Sequence, residues 1–447
     1  MSKIDSNFLK KMLPIALPVT LQQLIATSLN LVDTAMISSL GETKIAAVSL
    51  VVQFNFLLVC VVIAMTASTE IFFSRDYGAK KYENLFNTTK VSLSILLTIS
   101  AIFAYVSIFI PKNILSLYTK DMELIVEASS YMRYLAPSMI FFALNAVFAA
   151  GFRTGGSPNI PLKVSILSFF TNIVLNYAFI FGKLGAPKLG VSGAALGTSL
   201  SRGLEFIIFV SLSLLRKEYF IKRFKGAESK YLMSLKRFII VAFPILLTDV
   251  FWGLAQNMYQ ISYANLGQQA LASMLLSTTI ENITYVMFRG LAAACVVLLG
   301  FELGNGFIDN ATELAEKFLS LAFKAGIVIG AMLLIFPGLF LKIFRLDDPL
   351  LIGVCKNLLR IRGLILPIRF SNDILLGGIL RGGADSMFVL QREGAVTWLL
   401  AVPGALIASF IFNLPVEAVY GVIAATEIIK LMLLYPRFSS GKWIRIV

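Results

Sequence analysis

Asp33 is the residue of this chain most able to do chemistry inside an apolar environment. It lies in NLVDTAMISSLG (30–41), within an apolar run that begins near Lys11. A carboxylate at mid-depth of a membrane helix costs roughly 2.5–3.5 kcal/mol, and such acids usually mark ion or proton pathways. Helical spacing also predicts a polar stripe beside Asp33, suited to a water-filled cavity; its members are Gln23, Thr27, Asn30, Thr34 and Ser38. The alternative is an acid hydrogen-bonded to a neighbouring helix for packing alone.

Amide and hydroxyl side chains in two later segments are candidate partners of Asp33. Asn172 and Asn176 lie one helical turn apart in SFFTNIVLNYAFIFG (168–182). Thr198 follows in GVSGAALGTSLSR (190–202), whose small residues permit close helix packing. One carboxylate, two amide oxygens and a hydroxyl suit Na⁺ or a proton carrier. Hydrogen bonds between helices would explain the two asparagines equally well.

Three acids of the second half are further candidates. Asp249, Glu281 and Asp373 each occupy an apolar segment. They are predicted to bind a cationic substrate or the coupling ion, or else to pair with arginines in or beside these segments, namely Arg289, Arg362 and Arg369.

The remaining residue types argue against enzymatic chemistry. The chain has no histidine, and its three cysteines lie in or beside apolar segments without metal-ligand spacing. It has no P-loop and no nucleophile–base pattern. We therefore expect no enzyme, no prosthetic cofactor and no metal beyond Na⁺ at Asp33.

The elements that position these residues are membrane helices. The composition is 57% hydrophobic and 14% charged, with a mean hydropathy of +0.82. Soluble domains carry about 25% charged residues, so the chain is predicted to be an all-α polytopic membrane protein. Apolar runs long enough to cross a bilayer predict twelve spans near 12–38, 46–74, 91–111, 124–150, 160–182, 190–214, 236–264, 270–300, 316–343, 351–379, 387–412 and 415–436.

The distribution of positive charge predicts the orientation. The net charge of +14 is concentrated in short loops and at the ends, above all in 216–237, which argues for the positive-inside pattern and against nucleic-acid binding. Both termini are predicted to be cytoplasmic. One loop disagrees, because KIFRLDD (342–348) would place Lys342 and Arg345 outside, although Asp347 and Asp348 partly offset them.

An internal repeat divides the chain. An offset of 226 pairs LKKMLPIALP (9–18) with LKRFIIVAFP (235–244), and an offset of 227 pairs Gly155-Gly156 with Gly382-Gly383. We therefore predict two pseudo-symmetric six-helix lobes, 1–215 and 236–447, joined by a basic cytoplasmic linker, 216–235. Secondary transporters with such repeats bind substrate near the midplane between the halves.

The repeat keeps prolines that shape the helices but does not keep the acids. Pro18 matches Pro244, and each removes a helix hydrogen bond, so Pro18 is predicted to be a hinge; the alternative is a tolerated kink. The acids do not repeat, since Asp33 corresponds to Tyr259. This broken symmetry favours a functional role for the acids.

In their order along the chain, NLVDTAMISSLG after Pro18, GFRTGGSPN (151–159), GVSGAALGTSLSR and GILRGGADS (378–386) resemble the signature segments of multidrug and toxic compound extrusion (MATE) transporters. The resemblance covers essentially the whole chain. It implies two lobes that form a V-shaped central cavity, and export of organic, mostly cationic compounds in exchange for Na⁺ or H⁺.

The resemblance also implies residue roles. Asp33 corresponds to the family's first-helix acid that binds the coupling ion, Asn172 and Thr198 to its partners, and Pro18 to the proline at which that helix bends. The chain departs from the family at Asn176, where many members carry a second Asp. It departs again in the seventh helix, because Asp249 lies three residues before the expected position, Trp252.

The predicted function is therefore secondary active efflux of small organic cationic or amphipathic compounds in exchange for H⁺ or Na⁺. The alternative is a flippase or exporter of anionic or lipid-linked solutes on the same architecture, with Arg289, Arg362 and Arg369 as cavity cations. The expected partners are a small-molecule substrate and the lipid bilayer. We expect a monomer in a bacterial inner membrane.

Overall fold

The computed structural model describes residues 4–222, 231–344 and 347–445, and these ranges are helical and contain no strand. Lys3, Arg345 and residues 223–230 of the predicted linker lie outside the described residues. The α-helices are α1 Ser6–Ser38, α2 Glu42–Gly78, α3 Tyr82–Phe109, α4 Pro111–Leu115, α5 Met122–Thr154, α6 Asn159–Phe181, α7 Val191–Leu215, α8 Tyr231–Asn265, α9 Gln268–Gly304, α10 Ile308–Ile335, α11 Pro337–Leu341, α12 Pro349–Asp373, α13 Ser386–Val396, α14 Val402–Leu406 and α15 Val416–Ser439.

Within the described ranges, twelve long helical segments match the twelve predicted spans one to one. A π-helix, Ile374–Leu380, extends α12, and the π-helices Thr397–Ala401 and Ile407–Ile411 join α13 and α14 into a single segment. In the described residues, eleven of the segments are long and apolar enough to cross a membrane. The twelfth is α12, which carries Lys356, Arg360, Arg362, Arg369 and Asp373. The predicted all-α, twelve-helix class is confirmed.

The internal repeat is visible in helix boundaries and in backbone angles. Helices α9, α10 and α11 begin and end 226 residues after α2, α3 and α4. The glycine before α2 and its counterpart before α9 both adopt positive φ, 105° at Gly41 and 102° at Gly267. Such backbone favours glycine, which explains why both halves keep it.

The register shifts within the fourth long helix of each half. Asp121 and Asp348, 227 residues apart, each cap a helix by accepting a backbone N–H two residues later. After the π-helix that follows α12, the equivalent turns are 228 residues apart, with positive φ at Gly156 and Ala384. A π-turn contains one more residue than an α-turn. The structural equivalents of Gly155-Gly156 are therefore Gly383-Ala384, one residue after the predicted pair Gly382-Gly383.

Contacts divide the chain into two compact units. One comprises Leu21–Ile239, and the other comprises Met1–Thr20 with Ile240–Val447. These limits differ from the boundaries predicted at 215 and 236, which remain a prediction about the repeat. The start of α1 packs in the second of these units, where Phe8 contacts Phe318 edge to face at 4.9 Å.

An aromatic residue after the last helix of each half packs where its fourth long helical segment ends. Phe220 is buried against Phe152 and lies so close to Gly151, in the last turn of α5, that a Cβ there would be 2.8 Å from its ring. Trp443 is likewise buried against Gly383. The end of each of these segments is therefore covered by the segment that leaves its own half.

Helices α10 and α12 cross in close contact through a pair of glycines. A Cβ at Gly363 would lie 2.6 Å from the carbonyl oxygen of Gly330, whereas a Cβ at Gly353, on the same helix, would meet nothing within 4 Å. Small residues at such crossings let the two backbones approach.

Gly363→Ala is therefore expected to separate the two helices and to lower the free energy of unfolding by roughly 1–3 kcal/mol. The measurement is thermal unfolding of the purified protein in detergent. Gly353→Ala is the matched control and should unfold at the wild-type temperature or slightly above it. Equal unfolding temperatures for Gly363→Ala and wild type would contradict the assignment of this crossing as tightly packed.

Candidate functional site

The polar face of α1 lies exposed in the structure. Thr27, Asn30, Thr34 and Ser38 are exposed, and Asp33 is half-buried beside them. The hydroxyls of Thr27, Thr34 and Ser38 donate to carbonyl oxygens of their own helix, three or four residues earlier. A membrane helix with such an exposed face needs water or polar partners along it.

Asp33 is held by an amide from α6. The Nδ2 of Asn176 donates to Oδ1 of Asp33 at 2.7 Å and also to Oδ1 of Asn172 at 2.9 Å. Asn172 and Asn176 are fully buried and lie one turn apart. The spacing of the two asparagines therefore places both on the face of α6 that is turned toward Asp33.

The chain of hydrogen bonds goes on into α7. The Nδ2 of Asn172 donates to Oγ1 of Thr198 and to Oγ of Ser201, both at 3.3 Å. Gly197 makes room for this contact, because a Cβ there would collide with Oδ1 of Asn176. The structure thus brings together the four residues predicted for the coupling-ion site and adds Ser201.

Arg202 and Glu205 are neighbours of this site to which sequence reasoning gave no role. The charge of Arg202 acts on both Asp33 and Glu205, while its guanidinium lies over the ring of Phe142 at 4.6 Å. Arg202 ends the segment GVSGAALGTSLSR, one turn after Thr198. Its i+4 spacing from Thr198 is the signal that could have placed it at the site.

The donors and acceptors determine what the site can hold. The amide nitrogen of Asn176 donates to two oxygens, one on Asp33 and one on Asn172. These are the oxygens that a cation would need as ligands. The other amide atom, Oδ1 of Asn176, is buried and accepts no hydrogen bond in the described structure. Asp33 is therefore the one carboxylate in this chain of contacts, and it can carry a proton without displacing a side chain.

Each unit contains an arginine that links the end of the fourth long helical segment to the first long helix of the half. In the unit that contains Asp33, Arg153 binds Glu70, with its Nε 2.8 Å from Oε1, and donates to Oε1 of Gln22 at 3.4 Å. In the other unit, Arg381 binds Oδ1 of Asp249 at 2.7 Å. Asp249 therefore pairs with an arginine other than the three considered from the sequence.

Glu281 binds two of the predicted arginines. It forms ion pairs with Arg362 and Arg369. Arg362 also donates to Oγ1 of Thr278 at 3.0 Å and stacks on the ring of Tyr420 at 4.4 Å. The third predicted arginine, Arg289, is exposed on α9 and takes part in none of these contacts.

Asp373 belongs to the same polar cluster. Its carboxylate accepts a hydrogen bond from the hydroxyl of Tyr285, over whose ring Arg369 lies at 5.0 Å. Close by, Lys430 bridges Glu393 at 2.9 Å and Glu427 at 3.1 Å. The cluster thus sets four carboxylates against three cations, which leaves one net negative charge when all are ionised.

Comparisons with known proteins show the family of this chain. The MatE family model matches residues 18–178 and 244–407. The chain is 26% identical over 442 residues to a probable multidrug resistance protein NorM of Thermotoga maritima, covering 97% of the chain and 93% of the relative. It is 27% identical over 403 residues to the protein of the same name in Photorhabdus laumondii, covering 88% of the chain and 86% of the relative.

Solved structures show the same fold at lower identity. The chain resembles the Vibrio cholerae MATE transporter VcmN in the bent form with a TM-score of 0.87 at 16% identity, over 98% of the chain and 99% of that structure. A MOP superfamily transporter from Pyrococcus furiosus gives 0.84 at 19% identity, over 99% of the chain and 100% of that structure. Since the family model matches well over half of its residues, the chain belongs to the MatE family and is an integral, multi-pass membrane transporter rather than an enzyme.

Proposed function

We propose that this chain exports small organic cations across the membrane in exchange for protons, with Asp33 as the residue that takes up and releases the proton. The observation that carries the proposal is the contact of Asp33 with a neutral amide, Asn176, in a site where the nearby charge is the guanidinium of Arg202. Protonation of Asp33 changes the charge of this site by one unit without disrupting an ion pair.

The same geometry favours H⁺ over Na⁺ as the coupling ion. Sodium binds best where several oxygens converge, carboxylates among them. Here a single carboxylate meets an amide N–H, and Arg202 adds a positive charge that repels a second cation. The family's second Asp, which would compensate, is Asn176 in this chain.

Charge supports a cationic cargo over the flippase alternative. Asp33 and Glu205 outnumber Arg202 in one unit, and the Glu281 cluster of the other unit also has one excess carboxylate. The arginines that an anionic cargo would need at Glu281 are already paired. The relatives are named as multidrug resistance proteins, which supports export of small organic compounds.

A second candidate function remains because the fold is compatible with other cargo. The structure from Pyrococcus furiosus is described as having a binding pocket of reverse polarity that suggests a different function. Of the three arginines considered from the sequence, Arg289 is the exposed one outside the Glu281 ion pairs, and it would suit an anionic or lipid-linked solute. Transport of an organic anion in the assay below would favour this alternative.

The proposal extends to the setting of the chain. We place the chain as a monomer in a bacterial inner membrane, with both termini in the cytoplasm and with the bilayer and a small-molecule substrate as its partners. The bacterial relatives and the positive-inside distribution support this placement. The V-shaped cavity between the lobes stays a prediction, as does the absence of a prosthetic cofactor.

Asp33→Asn is expected to abolish proton-driven export while leaving the fold intact, because asparagine can still accept the hydrogen bond from Asn176 but cannot release a proton. The measurement is efflux of a fluorescent organic cation from proteoliposomes, under an imposed pH gradient and, separately, a Na⁺ gradient. Each pH unit supplies about 1.4 kcal/mol per proton. Wild type should respond to the pH gradient alone.

Asp121→Asn is the matched control, since it makes the same chemical change at a helix cap where asparagine serves equally well. Its efflux should equal that of wild type. Proton-driven efflux that persists in Asp33→Asn would remove Asp33 from the coupling step. Wild-type efflux under the Na⁺ gradient alone would refute proton coupling.

Restoring a second carboxylate and removing the internal cation should create a Na⁺ site. The double variant Asn176→Asp/Arg202→Gln places two carboxylates beside the oxygens of Asn172 and Thr198. Its unfolding temperature in detergent should rise when Na⁺ replaces K⁺, because ligands that bind the folded state stabilise it. Wild type is expected to show no such rise, and a Na⁺-dependent rise in wild type would contradict the proton assignment.

Pro18 is the proposed hinge of α1. The helix continues through Pro14 and Pro18, and its contacts change from one compact unit to the other between Thr20 and Leu21. A proline removes one backbone hydrogen bond at this point and weakens the helix there. Bending of α1 near Pro18 would couple the protonation state of Asp33 to transport.

Pro18→Ala is therefore expected to slow proton-driven efflux roughly tenfold, since restoring the hydrogen bond stiffens the helix at a cost to bending of a few kcal/mol at most. Initial efflux rates at equal protein content measure the effect. Pro14→Ala is the control, because Pro14 lies one helical turn further than Pro18 from the change of unit between Thr20 and Leu21. Equal rates for Pro18→Ala and wild type would reduce Pro18 to a tolerated kink.

A further inference from the structure

A cavity of about 530 Å³ lies at the start of α5, in the unit that contains Asp33. The short helix α4 supplies one wall of the cavity through Lys112, and α5 supplies the remaining lining residues, Val126, Ser129, Ser130, Arg133 and Tyr134. Its volume falls in the range of small-ligand sites, about 300–1,000 Å³. Two cations and three hydroxyls in one cavity are the groups that bind a phosphate.

The two cations have no acidic partner in the described part of the chain. Arg153, Arg362 and Arg381 each bind a carboxylate, whereas Lys112 and Arg133 form no ion pair with a described residue. The acid on α5 closest in sequence to the cavity wall, Glu127, pairs with Lys44 instead. The cavity therefore has an uncompensated positive charge of about two units.

Arg133 lies at the level of the cavity rather than in the first turn of its helix. It follows the first residue of α5, Met122, by eleven positions, or about 16 Å along the helix. Its side chain is exposed and lines the cavity, so an anion has direct access to its guanidinium.

The surroundings of the cavity are those of a bilayer interface. The segment around α4 exposes Phe109, Ile110, Leu117 and Tyr118, with 64% of Phe109 and 79% of Leu117 accessible. Tyr134 in the cavity wall is also exposed. Aromatic and apolar groups beside cations are typical of the level where lipid head groups meet acyl chains. This end of the bundle is opposite to the termini, since three long helices precede it.

The second half repeats the feature. Arg360 occupies the position on α12 that Arg133 has on α5, at the offset of 227 set by the helix caps. Arg360 is likewise exposed and unpaired with any described acid, and Lys356 lies one turn before it. The residues proposed for ion coupling differ between the halves, whereas both halves have this exposed arginine. A residue common to both halves reflects surroundings that both share, above all the bilayer.

We propose that the cavity lined by Lys112 and Arg133 binds the phosphate group of an anionic phospholipid in the leaflet opposite to the termini. Arg133 donates to two phosphate oxygens in a bidentate contact, Lys112 adds a point charge from α4, and the hydroxyls of Ser130 and Tyr134 are within the same cavity to complete the shell. Ser130 is already oriented by a hydrogen bond of 2.8 Å to Ser192.

The proposal also accounts for the cations that break the positive-inside pattern. Lys112 lies at the end of the bundle where sparse positive charge is expected, and so does Lys342 in the second half. A lipid phosphate bound at each of these places would neutralise charge that the chain leaves without a carboxylate. Anionic lipids attract such basic groups by about 1 kcal/mol each.

The test is native mass spectrometry of the full chain in detergent, titrated with dioleoyl phosphatidylglycerol. Wild type is compared with Lys112→Gln/Arg133→Gln and with Lys120→Gln, an exposed lysine of the same loop that does not line the cavity. Removing two cations should weaken binding of one lipid molecule roughly tenfold or more. Lys120→Gln should retain the same number of lipids as wild type. Dioleoyl phosphatidylcholine and sodium phosphate serve as the other probes.

Unchanged phosphatidylglycerol binding in the double variant would overturn the site. Equal retention of phosphatidylcholine would overturn its preference for anionic lipid, and binding of sodium phosphate with the same affinity would overturn the lipid as the source of the phosphate. Should the double variant fail to fold, Lys112→Gln alone keeps the test sharp, because Lys112 is exposed on a short surface helix. This single variant should show about half of the weakening of phosphatidylglycerol binding that is expected for the double variant. Unchanged binding would count against the proposal.

Discussion

The cost of placing charge in a low-dielectric interior governs this structure. A buried ion needs a partner of opposite charge or several hydrogen bonds, and the described acids discussed above meet this requirement mostly through ion pairs: Glu70 with Arg153, Asp249 with Arg381, Glu281 with two arginines. Asp33 and Asp373 differ, because the side chain that donates to each is neutral, the amide of Asn176 in one case and the hydroxyl of Tyr285 in the other. An acid in an ion pair keeps its charge, whereas an acid held by a neutral donor can gain or lose a proton with little rearrangement. This difference is the reason that Asp33, which also lies beside the exposed polar face of α1, is the proposed coupling residue.

The fold was largely predictable because the bilayer imposes the pattern. Hydrocarbon thickness sets the length of each apolar run, so twelve runs predicted twelve helices even where α12 carries five charged side chains. Glycines that require positive φ, such as Gly41 and Gly267, recur at the same offset as the predicted repeat. The π-helix Ile374–Leu380 was not predictable, since an inserted residue leaves the apolar pattern unchanged. Neither was the division of α1 between two compact units, which depends on tertiary contacts.

The candidate site was predictable where its residues share a helix face and not where pairing crosses helices. Asn172 and Asn176 are one turn apart, so any helix places them together, and Thr198 followed from its own segment. The partner of Asp249 was missed because it depends on the direction in which Arg381 points from a different helix. The sequence does not show that direction. Arg202 was overlooked although its spacing from Thr198 was available, since its importance comes from the position of Asp33 on another helix.

The two halves also differ in how firmly each first helix is held. Arg381 holds Asp249 by a half-buried, charge-assisted ion pair, which is stronger than a hydrogen bond to a neutral group. Arg153 instead places its ion pair on α2, through Glu70, and reaches the first helix only by a long hydrogen bond of 3.4 Å to the neutral amide of Gln22. Releasing the first helix is therefore cheaper in the half that contains Asp33. Pro18 lies one turn before Gln22, so the backbone is weakened where the side-chain contact is weak. In the half that contains Asp33, the first helix offers Gln22 rather than a carboxylate to this arginine, so the proposed movement and the proposed protonation fall on the same helix.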